Sequence, residues 1–240
     1  MEKTDVSVII PVKDEEQNIH LVARELTGVF ESCSWSWECI WVDDGSRDRT
    51  LAQIERLHER DPRMRLISFE RNEGQSAALW AGFQEARGDV MATLDGDGQN
   101  DPSDLPSLIE MVQSGTADMV NGFRARRRDT LWRRLASLTA NGFRNRITGR
   151  TVRDVGCSTR AFRKECVSCL PLFRGMHRFF PTLVNMQGFR ITEVPVNHRP
   201  RLRGQTKYST GNRLWVGLFD LFGVYWLRKR GFLTRTPRKR

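Results

Sequence analysis

Apolar positions along the first half of the chain fall into two alternating periods. Residues 6–11 (VSVIIP) form a short β-branched run, which predicts a buried strand. Beyond Asp14, residues Ile19, Val22, Leu26, Val29 and Phe30 recur every three or four positions and predict a helix. The same alternation continues. Strands are predicted at 37–42, 64–69, 90–94 and 118–122. Helices are predicted with Leu51, Ile54 and Leu57 on one face, over 74–86, and after Asp101-Pro102 with Leu105, Leu108, Ile109 and Val112 inward. Strands alternating with helices predict an α/β fold, a parallel sheet covered on both faces. The second half is less regular. It predicts an Arg-rich helix at 130–148, a short strand at 154–159, a better one at 190–197 and a helix at 213–227. No repeat and no Gly/Ser linker divides the 240 residues, which are enough for one sizeable core.

Charge changes this picture. Residues 1–120 hold 11 Lys/Arg and 24 Asp/Glu; residues 121–240 hold 28 and 5. An acidic half suits a cation, and a basic half suits a polyanion or an anionic bilayer. No apolar run reaches the length of a spanning helix, and residues 1–5 do not resemble a secretory signal. The five cysteines are scattered, which predicts reduced thiols in a cytoplasmic setting.

In parallel sheets ligands bind beyond the carboxyl ends of the strands, and the polar clusters fall there. Asp95-Gly96-Asp97-Gly98-Gln99 offers two carboxylates and an amide oxygen to one hard cation. Asp43-Asp44-Gly45-Ser46 can accept hydrogen bonds from a base or ribose, or cap the next helix. Gly74 permits close approach of backbone to a ligand, or simply a turn. Arg124, Arg126, Arg127 and Arg128, with Arg199, Arg201, Arg203 and Lys207, form two clusters suited to phosphate oxygens. No phosphate-loop, dinucleotide or nucleophile-elbow motif occurs.

The segments VSVIIPVKDEEQNI, ECIWVDDGSRDRT, RNEGQSAALWAGFQEARGD and TLDGDGQNDP, in this order, resemble the donor-binding domain of family 2 glycosyltransferases. DVGCSTRAFRKE and RGMHRFF followed by GFRITEVPVNHRPRLRGQTKYS resemble the branch that acts on polyprenyl phosphates, of which dolichol-phosphate mannose synthase is the type. The likeness runs over residues 6–208. It implies a nucleotide-diphospho-sugar transferase fold of the GT-A type, a Rossmann-like, mostly parallel sheet with helices on both faces. It implies a GDP- or UDP-sugar donor, Mg²⁺ or Mn²⁺, and a polyprenyl monophosphate acceptor. By position, Pro11, Val12, Asp14 and Glu15 would line the nucleoside, with Asp44 on the base. Asp95 would face the ribose and metal, with Asp97 and Gln99 as metal ligands. Arg124, Arg128, Arg201 and Lys207 would meet the diphosphate or the acceptor phosphate. Asp14 stands where the family often has Asn, and the membrane spans of many relatives have no counterpart here.

The chemistry so implied is a single inverting displacement, for which an acceptor phosphate needs no general base. A hydroxyl acceptor would need one, and Asp154 is the candidate. The expected organisation is a catalytic domain over 1–211, with a donor-binding half at 1–122 and an acceptor half at 123–211. An amphipathic interfacial helix and basic tail would follow at 212–240. At ~1.5 Å per residue the 213–227 helix is too short to span the bilayer and suits its surface, or docking on the domain or on a second subunit of a homo-oligomer. The expected location is cytoplasmic, peripheral on the inner face of the membrane, in cell-envelope glycan synthesis. Three other readings stay open: a family 2 enzyme acting on a saccharide, a basic nucleic-acid-binding protein, and a dehalogenase-like phosphatase using Asp95 and Asp97.

Overall fold

A computed structural model describes residues 3–125, 152–168, 170–200 and 213–230, without the side chains of 213–216 and 218. The helix predicted at 130–148 lies outside the described residues.

Seven strands form one sheet. They are β1 (Val6–Val12), β2 (Trp37–Asp43), β3 (Met64–Ser68), β4 (Val90–Thr93), β5 (Met119–Arg124), β6 (Arg160–Arg163) and β7 (Ile191–Val196), in the order β3-β2-β1-β4-β6-β5-β7. The first five agree with the periodicity. The sheet is mostly parallel, as the resemblance implies, and is mixed only through β6, which runs antiparallel between β4 and β5. The strand expected at 154–159 lies later, at β6. Residues 154–157 instead make a turn, with Cys157 N–H donating to Asp154 O at 3.3 Å, and sheet pairing begins where Gly122 N–H meets Thr159 O at 2.9 Å. Arg-Ala-Phe-Arg carries two charges in four residues, so hydropathy does not mark it as a strand.

Alternation along β1 explains the layering. Val6, Val8, Ile10 and Val12 enter one core with α1 (Ile19–Phe30), α2 (Thr50–Arg60) and α4 (Leu105–Gln113). Ile9, on the opposite face, enters a second core with α3 (Gln75–Glu85), α5 (Phe180–Met186) and α6 (Arg213–Arg230). Phe83, Phe162 and Phe180 form the centre of that second core, with ring centroids 4.9–5.6 Å apart. The helix α5 is short and preceded by aromatic residues, and its spacing alone gives little signal.

The α6 helix has two faces. Leu221 and Val224 are buried in the second core, while Phe219, Phe222, Tyr225 and Trp226 are exposed, Phe219 by 83% and Trp226 by 62%. Among the described residues no helix is long and apolar enough to cross a membrane. The described cysteines, Cys33, Cys39, Cys157 and Cys166, are all free.

Candidate active site

The predicted polar clusters meet along the carboxyl edge of β1, β2 and β4. The loops after β1 and β2 are laced together. Asp14 N–H donates to Ser46 Oγ at 2.8 Å, and Arg47 N–H returns a bond to Asp14 Oδ1 at 2.7 Å. Glu15 N–H reaches Thr50 Oγ1 at 2.8 Å. Asp14 sits at φ 45°, a left-handed conformation that Asp and Asn tolerate through short local hydrogen bonds. Ser46 also donates to Asp43, whose carboxyl is pushed up by burial against that bond. Ser46 therefore joins the two loops, and Asp48 is the residue that accepts the Thr50 N–H, at 2.9 Å.

Asp44 organises the next turn. Its oxygens accept the N–H groups of Glu73 at 2.7 Å and Gly74 at 3.0 Å, and the amide of Asn72 at 3.0 Å. Gly74 has φ 96°, which a side chain would strain, and its N–H already belongs to Asp44. Val12 is 3% exposed and its side chain packs in the core, so a nucleoside there would meet only its backbone. Gly96 lies against it; a Cβ there would stand 2.3 Å from Val12 Cγ1, so this close approach admits only glycine.

Asp95, Asp97 and Gln99 follow β4. Asp95 Oδ1 accepts Gln75 Nε2 at 3.0 Å and Oδ2 accepts Ser158 Oγ at 2.7 Å. Burial pushes its carboxyl up, against the Ser158 bond, and Asp97 adds to the rise. Asp97 Oδ1 accepts Gln99 N–H at 3.1 Å, and Gln99 donates its amide to Arg199 O at 3.2 Å, which aims Gln99 Oε1 elsewhere. Two carboxylates and an amide oxygen suit Mg²⁺ or Mn²⁺, hard cations that leave positions for phosphate oxygens. Among the described residues no group of three or more His, Cys, Asp or Glu could hold a metal by itself.

The candidate cationic residues divide. Arg124 ends β5 with its fork on Asp154, Nε to Oδ2 at 2.7 Å and Nη2 to Oδ1 at 2.9 Å. Burial works against its charge, but this pair outweighs it and raises the guanidinium above its ordinary value. Arg199 is a correction. Its guanidinium bridges Glu25 at 2.8 Å and Asp101 at 2.9 Å, so it ties the loop to α1 rather than waiting for phosphate. Arg126, Arg127, Arg128, Arg201, Arg203 and Lys207 lie outside the described residues.

Several residues at this site carry no signal in the sequence. A cavity of about 170 Å³ opens beside Asp95, lined by Pro11, Gln75, Leu79, Ser158, Arg160 and His177 among others. Arg160, His177 and Ser158 lie within the motifs quoted above, yet no spacing rule singles them out. Ser158 reaches Asp95 across 63 residues of chain, and His177 reaches Ser76 across 101.

The model of the family described as glycosyl transferase family 2 matches residues 7–170. Dodecaprenyl-phosphate galacturonate synthase of Rhizobium johnstonii is 36% identical over 228 residues, 93% of this chain and 67% of that protein. Undecaprenyl-phosphate 4-deoxy-4-formamido-L-arabinose transferase of Pectobacterium atrosepticum is 40% identical over 207 residues, 85% of this chain and 63% of that protein. The chain thus spans about two thirds of the length of these curated relatives. In fold it is similar to glucosyl-3-phosphoglycerate synthase from Mycobacterium tuberculosis, crystallised with Mn²⁺ and UDP-glucose. The TM-score is 0.68 at 19% identity, covering 94% of this chain and 79% of that one.

Proposed function

This chain belongs to glycosyl transferase family 2 and is a glycosyltransferase, and we propose that it moves one sugar from a nucleoside diphosphate to the phosphate of a polyprenyl chain, with inversion. The observation that carries this reading is the strand-end loop Asp95-Gly96-Asp97-Gly98-Gln99, whose Asp95 lines a cavity together with Arg160 and Arg178, in a chain whose relatives act on polyprenyl phosphates. Asp97 and Gln99, with Asp95 behind them, would hold Mg²⁺ or Mn²⁺. A cation so held supplies Lewis-acid stabilisation of the departing diphosphate. Pro11, Asp14, Glu15 and Asp44 frame the nucleoside end, and Arg124 contributes positive charge beside Asp95. Arg128, Arg201 and Lys207 remain the proposed phosphate contacts, and the proposed division is 1–122 for the donor, 123–211 for the acceptor and 212–240 for membrane attachment.

A phosphate acceptor is favoured over a hydroxyl acceptor by one contact. The candidate base, Asp154, has both carboxylate oxygens on Arg124, so neither is turned freely toward an acceptor hydroxyl. The outward aromatic side of α6, followed by Arg228, Lys229 and Arg230, suits the interface of an anionic bilayer, where the lipid phosphate lies. We place the enzyme peripherally on the cytoplasmic face. The test is a panel of GDP- and UDP-sugars incubated with polyprenyl phosphate and either Mg²⁺ or Mn²⁺, read by mass spectrometry of the lipid and by the anomeric configuration of its product. A glycosylated lipid of inverted configuration, absent with EDTA, is expected. Product only with saccharide acceptors would overturn the reading.

A further inference from the structure

Residues 197–199 leave β7 and cross the loop that follows β4. Asn100 pairs with His198 in an antiparallel bridge, and Arg199 N–H donates to Gln99 O at 2.8 Å. Gln99 returns the contact with its side chain, Nε2 to Arg199 O at 3.2 Å. One end of this crossing is fastened by Asn197, whose N–H donates to Asp104 Oδ2 at 2.8 Å. The other end is fastened by the Arg199 guanidinium, with Nη1 on Glu25 Oε2 of α1 at 2.8 Å and Nη2 on Asp101 Oδ2 at 2.9 Å. Asp101 is itself held, since its Oδ1 accepts Ser103 N–H at 3.1 Å and Ser103 Oγ at 2.7 Å. The second half of the chain thus closes on the first at Gln99.

The consequence for Gln99 follows from the chemistry of an amide. The group is planar, with an acceptor oxygen on one side of its carbon and an NH₂ that only donates on the other. Left to rotate, it presents either side to a cation, and a hard cation takes only the oxygen. A backbone carbonyl accepts and cannot donate. Arg199 O therefore selects Nε2 and turns Oε1 away from the crossing. Through its own N–H on Asp97 Oδ1, at 3.1 Å, Gln99 also steadies the neighbouring carboxylate.

We propose that Arg199 is a positioning residue for the cation: its guanidinium, held by Glu25 and Asp101, fixes the backbone carbonyl that orients Gln99 Oε1 as a metal ligand. The inference rests on the metal-dependent reading above. Arg199 acts through Gln99 and not on a phosphate, because both Nη atoms are already engaged by carboxylates.

The test is Mn²⁺ binding to the full chain with UDP or GDP, whichever the wild type takes, followed by the EPR signal of free Mn²⁺, beside calorimetry of the same nucleotide in EDTA. Arg199→Met should lower Mn²⁺ affinity on the order of tenfold, the scale of losing a residue that orients a metal ligand, and leave nucleotide affinity in EDTA unchanged. Arg199→Lys, which keeps the charge, should recover part of the loss. Glu25→Gln, a change on α1, should lower Mn²⁺ affinity in the same direction by about threefold, and it carries the comparison if Arg199→Met folds poorly. In a Gln99→Ala background, which keeps the backbone bond, neither substitution should lower Mn²⁺ affinity further. Unchanged Mn²⁺ affinity in both single variants, a loss that persists in full beside Gln99→Ala, or weaker nucleotide binding in EDTA on Arg199→Met would overturn the proposal. A wild type that takes up no Mn²⁺ with either nucleotide would overturn the metal reading, and this role with it.

Discussion

The rim that carries Asp14, Asp44 and Asp97 and the cavity wall that carries Ser158, Arg160 and His177 meet at Asp95, which lines the cavity, but are assembled differently. On the rim, hydrogen bonds join loops 28 to 35 residues apart, between the ends of neighbouring parallel strands. On the wall they cross 63 to 101 residues, from α3 and β4 to segments around 158 and 175–178. The rim is acidic and stands on a sheet that would form without it. The wall is basic and stands on the Phe83, Phe162 and Phe180 core, so its geometry and its stability are one property. A rim residue can therefore be removed from the chemistry without unfolding the protein, whereas a wall residue disturbs both.

The largest expected effect attacks the base of the wall. Phe180 is 2% exposed and touches both other rings and Arg160. Phe180→Ala should cost about 3–5 kcal/mol, cavity included. For a chain of this size that is a fall on the order of 10 °C in Tm. Thermal unfolding checks it, and a fall under about 3 °C would show that the ring cluster does not support the wall.

Next is the rim. Asp97→Ala should lower transfer by on the order of 10²–10³-fold, the scale of losing one charged group that stabilises the leaving diphosphate. Asp97→Asn should fail similarly, because charge matters as well as shape. Tm should hold within about 1–2 °C, since a partly exposed strand-end carboxylate is not core. Full turnover in EDTA-treated buffer would break the contrast.

The same contrast decides what was legible in the sequence. β1 to β4, α1 to α4 and the Asp95-Asp97-Gln99 loop follow from period and from strand-end chemistry, because each is determined within about 30 residues. β6 and the cavity wall are not, since a short strand reading Arg-Ala-Phe-Arg becomes a strand only between β4 and β5. The basic neighbours of Arg199 group it with the phosphate-binding cations. Glu25 and Asp101, 174 and 98 positions away in chain order, occupy it instead. Arg160 and His177 stood in plain view within the motifs, but neither the burial that silences the imidazole nor the bond from Ser76 can be read from spacing.

A pH profile sharpens the comparison further. His177 keeps a folded-state pKa of about 3 against an ordinary 6.5, so the unfolded chain binds this proton more readily than the folded one. Stability from this group is full above about pH 6.5 and is lost as pH falls through the window down to about 3. At about 1.4 kcal/mol per pH unit the loss reaches roughly 2 kcal/mol by pH 5. The wild-type Tm should fall faster than that of His177→Gln over this range. Parallel curves would show that the ring charges without cost, and so is not held as the structure holds it.

The smallest effect concerns the tie between the wall and α6. Arg178, which lines the cavity, reaches Asp220 of α6 with Nη2 to Oδ2 at 3.5 Å, and Gly175 leaves room for that carboxylate. Two contributions oppose each other. The ion pair is long and Arg178 is 41% exposed at the side chain, so its attraction falls in the range of about 0–1 kcal/mol. Against it, Asp220 Oδ2 is buried without a hydrogen bond, and burial raises its carboxyl above the ordinary value, which costs stability at neutral pH. Asp220→Ala removes both, so Tm should change by no more than the equivalent of about 1 kcal/mol in either direction. A double-mutant cycle with Arg178→Ala isolates the pair, and a coupling under about 1 kcal/mol is expected. A coupling of several kcal/mol would mean that the aromatic helix and the cavity wall move as one body, and bilayer contact at Phe219 or Trp226 would then reach the cavity through Arg178.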